Sequence, residues 1–405
     1  MKPSASTVNK RYLEERNGVT YNVFKRAGET SSLSYVKNSG ICETTPGVDQ
    51  YSGYLDVGTN MHKHGPCHFV DGSSKPSLNQ YSWNTYANML YVDQPIGTGF
   101  SYGDDEATST VSAAAYVWTF LQNFYAAFPE YENRDFGLWT ESYGGHYGPE
   151  FASYFEAQNA KIAAGTLTGE KVNLVALGIN NGWIDPVLQY QAYPIFAYNN
   201  TYKQLISASQ YQSYMSAYTK KCVPALASCT GLTGNNNACL SGDSTCRSAV
   251  ETPIENANDF NVYDVLEPSS SQSTDPPETY VDYLQSKSVM TAIGAQTTYG
   301  ECPDTPYDKM VGSGDVWAGD LDWICNWYGS QLVVNSINYT DSAAFQSAKL
   351  AEYTVGGKSH GQFKTAGNLN FLRVYEAGHE VPYYQPAAAL QAFTQIMQGK
   401  ALLST

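Results

Sequence analysis

The chain has 405 residues and a formal net charge of −15 at neutral pH, with a sequence pI near 4.8. This acidity argues against nucleic acid as a partner, because the phosphate backbone repels it. Hydrophobic residues make up 42% and charged residues only 15%, enough apolar material for a large core and too little charge for disorder. No apolar stretch approaches the roughly 18 residues that span a bilayer, so we expect no membrane association.

Helical and strand patterns alternate along much of the chain. In residues 111–128 apolar side chains recur at steps of three and four, which predicts an amphipathic helix. A second helical pattern carries Tyr147 and Phe151, and 387–397 has the composition of a helix that closes the sheet edge. Short apolar runs predict buried strands at 89–92, 136–139, 172–179 and 369–375. Strands alternating with helices predict a mostly parallel sheet flanked by helices.

The composition changes between residues 187 and 300, where Tyr, Ser, Gln and Asn dominate. We interpret this segment as a cap inserted over the sheet. The Ser/Pro-rich run 268–277 is a loop rather than a linker, because periodic apolar sequence resumes after it. The predicted organisation is therefore a first core part over 1–186, the cap over 187–300, and a second core part over 301–405.

Four of the eight cysteines lie close together in the cap, with Gly and Asn between them: Cys222, Cys229, Cys239 and Cys246. This spacing predicts a disulfide-stapled loop. A zinc site is the competing interpretation, but the window contains no His and no CxxC spacing. Disulfides indicate an oxidising compartment, and sequons at Asn199 and Asn338 favour a secreted glycoprotein. The N-terminus lacks the apolar run of a secretory signal.

A candidate nucleophile lies between a predicted strand and helix, in the sequence WTESYGG from Trp139. A nucleophile elbow places its serine in such a strained turn, with the hydroxyl at the top of the sheet. Ser142 occupies that position. Gly144 fits the G-x-S-x-G pattern, whereas Thr140 replaces its first glycine.

A serine nucleophile needs a general base and an orienting carboxylate, which follow it in this fold class in the order Asp or Glu, then His. Of the six histidines, only His379 lies late in the chain and just past a predicted strand. His146 is too close to Ser142. Asp320 and Asp322 are both candidates for the carboxylate, and periodicity does not choose between them.

At this point the sequence resembles the serine carboxypeptidases of the α/β-hydrolase fold. The resemblance runs nearly end to end and rests on YSGYL from Tyr51, DQPIGTGFSY from Asp93, ESYGGHY from Glu141, NGWIDP from Asn181, and GDLDWICN from Gly319 with GHEVP from Gly378. It implies an α/β-hydrolase-type sheet with an inserted disulfide-bearing cap. It also implies the catalytic set of Ser142 as nucleophile, His379 as base and then acid, and Asp320 rather than Asp322 as the orienting carboxylate.

The implied reaction releases C-terminal amino acids from peptides at acidic pH through an acyl-enzyme on Ser142. Glu141, by resemblance, helps bind the substrate's terminal carboxylate, which requires one carboxyl of the pair to be protonated. The backbone N–H of Tyr143 is the predicted oxyanion donor. The predicted partners are peptide or protein C-termini, and the predicted location is secreted or vacuolar. No metal or organic cofactor is expected.

Two departures from the family pattern are visible. Between Met61 and Gly65 the family carries a strand, a Gly-Gly-Pro-Gly-Cys turn and the start of a helix, on the order of thirty residues. This segment supplies the second oxyanion donor. A second gap, of roughly twenty residues, falls between Asp315 and Ala318. A catalytically impaired remnant, or an acyltransferase of the same fold, is therefore an alternative to the carboxypeptidase.

The resemblance also implies how the cysteines pair. By this resemblance, Cys222 pairs with Cys246, and Cys229 pairs with Cys239. Cys325 matches the family's unpaired thiol beside the active site. Cys302 resembles the partner of the missing turn's cysteine, and Cys42 with Cys67 is a plausible further pair.

Overall fold

The structure is a computed structural model of the chain, and it describes residues 9–27, 32–41, 48–55, 73, 75–104, 106–229, 237–270, 279–301, 303–306 and 323–405. The described strands form three sheets. The first sheet is antiparallel, in the order β1 (Lys10–Arg16), β2 (Val19–Lys25), β3 (Ser32–Lys37), β4 (Tyr51–Leu55). The second is the parallel pair β5 (Asp135–Glu141) and β6 (Asn173–Asn180). The third is antiparallel and contains β7 (Ala351–Val355), β8 (Lys358–Ala366) and β9 (Leu369–Val374).

The helices fall into three groups along the chain. Those associated with the first core part are α1 (Thr110–Ala127) and α2 (Gly144–Ala163), with short 3-10 turns at Trp83–Thr85 and Pro129–Tyr131. The predicted cap contains α3 (Pro186–Asn199), α4 (Ala208–Ala217), α5 (Val223–Leu226), α6 (Asn237–Cys246), α7 (Thr252–Glu255), α8 (Thr279–Gln285) and α9 (Lys287–Ile293). The last group is α10 (Trp327–Ser336), α11 (Ser342–Ser347), α12 (Val381–Tyr384) and α13 (Pro386–Met397).

The helix predicted over 111–128 is confirmed as α1. It begins with a capping box, in which the Ser109 side chain accepts from the backbone N–H of Ser112 and the Ser112 side chain accepts from that of Ser109. This pair satisfies two of the donors that a helix start leaves unbonded. The apolar stripe, including Leu121, packs into a core shared with α2.

Most of the other predicted elements are also confirmed. The strands expected at 136–139, 172–179 and 369–375 correspond to β5, β6 and β9, with ends that differ by a residue or two. The second predicted helix is α2, and the helix expected over 387–397 is α13.

The strand predicted at 89–92 is wrong. These residues have no strand pairing within the described part of the chain. Leu90 and Tyr91 are 38% and 46% exposed, although their apolar character suits a buried strand. A β-strand exists only with a neighbour that completes its hydrogen bonds, so a run of suitable residues is not sufficient.

The β5–β6 pair is more exposed than parallel strands usually are. Parallel sheets normally have both faces covered. On β6, however, Val175 and Leu177 are 47% and 37% exposed. The C-terminal helix α13 covers part of β5, because the Phe393 ring lies 5.0 Å from that of Trp139 and stacks at 4.4 Å on Trp83.

The cap contains a helical hairpin, formed by residues 208–226 and 237–255 and called here the cap hairpin. Each arm includes one π-turn, Tyr218–Cys222 or Arg247–Glu251, directly before a short helix with Pro224 or Pro253 near its start. Proline has no N–H to donate and its ring clashes with the preceding turn, so a widened turn lets each arm continue.

Two disulfides join the arms of the cap hairpin, Cys222–Cys246 and the nested Cys229–Cys239. Both predicted pairings are confirmed. Cys325 is buried and packs in the same core as the hairpin. Residues Cys42, Cys67 and Cys302 lie outside the described residues, so their predicted pairing stays a prediction.

Candidate active site

The backbone around Ser142 forms a strained turn between β5 and α2. Ser142 has φ of 56°, in the left-handed region that residues with a side chain rarely adopt. Three hydrogen bonds stabilise the turn: the Ser142 N–H donates to the Asn180 carbonyl (3.1 Å), and the Ser142 carbonyl accepts from Gly145 (2.9 Å) and Trp183 (3.0 Å). Such strain persists only where the surrounding structure enforces it, and it concentrates at functional sites. The turn has the form of a nucleophile elbow.

Small residues make this turn possible. A Cβ on Gly144 would overlap the Thr140 side chain, and one on Gly145 would overlap the backbone of Trp183. Thr140, which departs from the usual glycine, fits because its hydroxyl donates to the Gly144 carbonyl at 2.9 Å. The departure from G-x-S-x-G is therefore accommodated by a bond that a glycine does not make.

Tyr143, the predicted oxyanion donor, is the residue that follows Ser142 and precedes α2. Its φ of −57° is already helical, so its backbone belongs to the helix N-terminus, where N–H groups point outward. The Tyr143 ring stacks on His146, with centroids 4.9 Å apart and planes 5° from parallel. His146 therefore packs against the elbow, in line with its exclusion as the base.

His379 lies in the loop between β9 and α12, next to the end of β6. Its carbonyl oxygen accepts hydrogen bonds from the side-chain amides of Asn180 (3.0 Å) and Asn181 (3.1 Å). Its ring lies 5.2 Å from that of Tyr263, which belongs to the predicted cap. Burial lowers the pKa of His379 to about 4, so the imidazole is neutral over most of the acidic range.

The Ser142 hydroxyl makes no hydrogen bond with any residue in the described ranges, His379 included. Catalytic hydrogen bonds are often long without substrate and tighten when substrate binds. The structure thus brings the loop of the predicted base to the elbow without forming the nucleophile–base hydrogen bond.

Glu141 is the last residue of β5 and directly precedes Ser142. Its side chain accepts a hydrogen bond from the Asn180 amide. Burial raises the pKa of Glu141 to about 7, and the hydrogen bond from Asn180 opposes that rise. A carboxyl with this pKa carries a proton at acidic pH and can donate it in a hydrogen bond to another carboxylate.

The remaining predicted site features lie outside the described residues. These are Asp320, its alternative Asp322, and both apparent gaps, at 61–65 and 315–318. Among the residues that are described, no group of three or more His, Cys, Asp or Glu side chains is placed to bind a metal ion. Nor does any helix in those ranges have the length and apolarity to cross a bilayer.

Asn180 and Tyr263 are not among the site residues predicted from the sequence. Asn180 follows the predicted strand at 172–179 and lies next to the quoted Asn181 block. The carboxyl ends of parallel strands are where α/β proteins place functional groups, so its position was an available signal. Tyr263 had no such signal, because its contact with His379 joins residues more than one hundred positions apart.

Comparison with known proteins identifies the family. The profile of the serine carboxypeptidase family matches residues 57–399, which is most of the chain. The chain belongs to the serine carboxypeptidases, and it is a peptide hydrolase of that family.

Relatives and a solved structure agree with this assignment. The chain is 52% identical to carboxypeptidase S1 of Penicillium janthinellum over 92% of its own length and all of the relative's. It is 30% identical to carboxypeptidase S1 homolog A of Arthroderma otae, over 95% of this chain and 78% of that protein. The fold matches Kex1(delta)p, a prohormone-processing carboxypeptidase from Saccharomyces cerevisiae, with a TM-score of 0.66 at 19% identity, over 95% of this chain and 88% of that one. The α/β-hydrolase fold with a disulfide-bearing cap is thereby confirmed.

The alignment with the Penicillium enzyme is longer than the part of this chain that it covers. It runs over 426 positions, whereas 92% of 405 residues is about 373, so about 426 − 373 = 53 positions have no residue from this chain. This difference has the size of the two predicted gaps taken together.

Proposed function

We propose that the protein removes the C-terminal amino acid from peptides at acidic pH, with Ser142 as nucleophile and His379 as general base. The observation that carries this proposal is the strained turn of Ser142, φ of 56°, beside the loop of His379 at the carboxyl end of β5 and β6. Asp320 is proposed as the carboxylate that orients His379, on the resemblance alone.

The chemistry follows from these roles. Ser142 Oγ attacks the carbonyl carbon of the last peptide bond while the His379 imidazole accepts the hydroxyl proton. The oxyanion that develops is stabilised by the N–H of Tyr143. Collapse of the intermediate breaks the C–N bond, and His379 gives its proton to the departing amino group. Water then attacks the acyl ester on Ser142 while His379 accepts its proton. Collapse of this second intermediate breaks the ester bond, His379 returns the proton to Ser142 Oγ, and the shortened peptide is freed.

Glu141 accounts for both the exopeptidase preference and the acidic optimum. When protonated, it donates a hydrogen bond to the substrate's terminal carboxylate, so only the end of a chain binds well. Its pKa of about 7 sets the upper limit of this state, and the pKa of about 4 of His379 sets the lower limit of base catalysis. Between about pH 4 and about pH 7, Glu141 is protonated and the His379 imidazole is neutral, which are the forms that binding and base catalysis require.

Peptide and protein C-termini are the proposed partners, and the proposed location is outside the cytosol, secreted or vacuolar. Support comes from the two disulfides of the cap hairpin, since such bonds persist in oxidising compartments. We also propose that residues 187–300 act as the cap over the site. Tyr263, which lies against the His379 ring, is the contact that supports this role.

The test is labelling of the purified protein with a fluorophosphonate probe, read by intact mass. One probe should add to the unsubstituted chain and none to Ser142→Ala. Ser153→Ala, at an exposed position on α2, is the control and should label normally. Untreated enzyme from preparations that react with the probe should release single C-terminal amino acids, with kcat/KM highest between about pH 4 and about pH 7. Equal labelling of the Ser142→Ala variant would contradict the proposal.

A further inference from the structure

Asn180 contacts three parts of the proposed site at once. In the parallel register of β5 and β6 it is paired with Glu141. Its side-chain nitrogen donates to Glu141 Oε2 and to the His379 carbonyl oxygen, the latter at 3.0 Å. Its own carbonyl accepts the N–H of Ser142 at 3.1 Å. One residue thus bonds to the nucleophile, to the loop of the base and to the carboxyl beside the nucleophile.

Both hydrogens of the Asn180 side-chain amide are used in hydrogen bonds. A side-chain amide nitrogen has two hydrogens, and here one goes to Glu141 and the other to His379. The His379 carbonyl accepts from the side-chain amides of Asn180 and Asn181 and from the backbone N–H of Val381 at 3.1 Å. Both amides therefore hold the backbone of the loop, and the Asn180 amide links Glu141 directly to the His379 carbonyl.

We propose that Asn180 is a positioning residue that couples recognition of the substrate's terminal carboxylate at Glu141 to the placement of His379 beside Ser142. This inference rests on the proposed function of Glu141, Ser142 and His379. Asn180 itself does not touch the reacting atoms. It acts through Glu141 on binding and through the His379 backbone on turnover.

A second pair on the same strands provides a matched control. Asn173, at the start of β6, donates from its side-chain nitrogen to Asp135 at the start of β5, at 2.8 Å, and the two residues are paired in the register. The donor, the acceptor type and the strands are the same as for Asn180 and Glu141, but this pair lies at the opposite, solvent-exposed end of the strands. The Asn173 variant therefore shows the effect of losing an Asn–carboxylate hydrogen bond between these strands at a place remote from Ser142 and His379.

The experiment compares Asn180→Leu with Asn173→Leu. Leucine has a similar volume and keeps water out, but supplies no donor. For a peptide with a free C-terminus, we expect kcat of Asn180→Leu to fall on the order of 10- to 100-fold, because His379 is misplaced. The rate of fluorophosphonate labelling should also fall, since it depends on Ser142 and His379 and not on a substrate carboxylate.

The pH profile separates this coupling from simple structural damage. Loss of the donor that opposes the effect of burial raises the pKa of Glu141 above about 7, so the upper limb of kcat/KM should move to higher pH in Asn180→Leu. Glu141→Gln should remove the upper limb of the kcat/KM profile. The double variant Glu141→Gln with Asn180→Leu should then have the same pH profile as Glu141→Gln alone. Asn173→Leu should match the unsubstituted enzyme in every readout.

Kinetics and pH profile of Asn180→Leu equal to those of Asn173→Leu would overturn the inference. If Asn180→Leu does not fold, Asn180→Ala, which introduces no bulk, is measured in the same way. Failure of the underlying function is distinguishable, because the unsubstituted chain would then not label at Ser142 at all.

Discussion

The cap and the parallel strands beneath the elbow differ in how completely they are packed. In the cap core Tyr190, Tyr193 and Ile254 are fully buried, and the arms of the cap hairpin are joined by two disulfides. On β6, by contrast, Val175 and Leu177 are largely exposed. The described cap residues form a closely packed core, which also includes Trp323 and Cys325 from outside the cap, whereas the described parallel sheet is two strands wide.

The difference follows from how far apart in the sequence the segments that pack together in each region lie. The cap hairpin is built from adjacent segments, so its packing and its disulfides depend on neighbours in the chain. A sheet draws its strands from distant segments, and the loss of one strand leaves its neighbours without partners. By the family resemblance, both apparent gaps fall where the family has a strand, so the sequence predicts fewer strands beside β5 and β6 than the family has.

The largest expected effect is on the cap core. Ile254→Ala removes fully buried methyl groups and should lower the free energy of unfolding by about 2–5 kcal/mol. Val175→Ala, an apolar truncation at a residue 47% exposed, should change it by about 0.5 kcal/mol or less. Urea unfolding followed by circular dichroism measures both. Equal effects would show that β6 is as well packed as the cap and would remove the contrast.

The disulfides allow a second comparison within the cap. Replacing Cys222 and Cys246 by serine opens the longer loop, with a sequence separation of 24, and should cost about 3 kcal/mol in the chain-entropy treatment. The same change at Cys229 and Cys239, with a separation of 10, should cost less. The midpoints of urea unfolding of the two double variants give the order. A reversed order would mean that packing around each bond outweighs loop length.

The smallest effect expected is a dependence of cap stability on pH. Asp243 and Glu251 are buried, next to Tyr190, which donates to Asp243 at 2.5 Å, and Arg247, which lies 3.4 Å from Glu251. Burial raises the pKa of Asp243 to about 6 and that of Glu251 to about 7, and that of nearby Glu255 in the same direction. The folded state therefore retains protons that the unfolded state releases above about pH 4. The contribution of these groups to stability is therefore full below about pH 4 and is lost as pH rises to about 7.

Melting temperatures at acidic and at mildly alkaline pH test this dependence. Asp243→Asn combined with Glu251→Gln should flatten it, because the amides do not titrate. The matched control is Glu156→Gln, at an exposed position on α2, which should leave the dependence as it is. An unchanged slope in the double variant would assign the dependence to other groups.

The sequence predicted what depends on local patterns. The stripe in 111–128 predicted α1, the turn after Trp139 predicted the elbow, and the resemblance predicted the pairing of the cap cysteines. The hydrogen bonds within the candidate site could not be predicted from local patterns. The bonds of Asn180 depend on the register of β5 against β6 and on a loop nearly two hundred residues away, and no periodicity encodes either. The strand prediction for residues 89–92 was wrong for the same reason, because strand formation there depends on a neighbouring strand supplied by another segment.

The packing of α13 on β5 has a consequence for the order in which the enzyme is assembled during synthesis. Phe393 on α13 stacks against Trp83 and contacts Trp139, three residues before Ser142. His379 precedes this helix by only a few residues. A ribosome releases the chain from its N-terminus, so the base and the helix that supports the nucleophile strand emerge more than two hundred residues after Ser142. The proposed site is therefore assembled only after the segments between Ser142 and His379 have been synthesised.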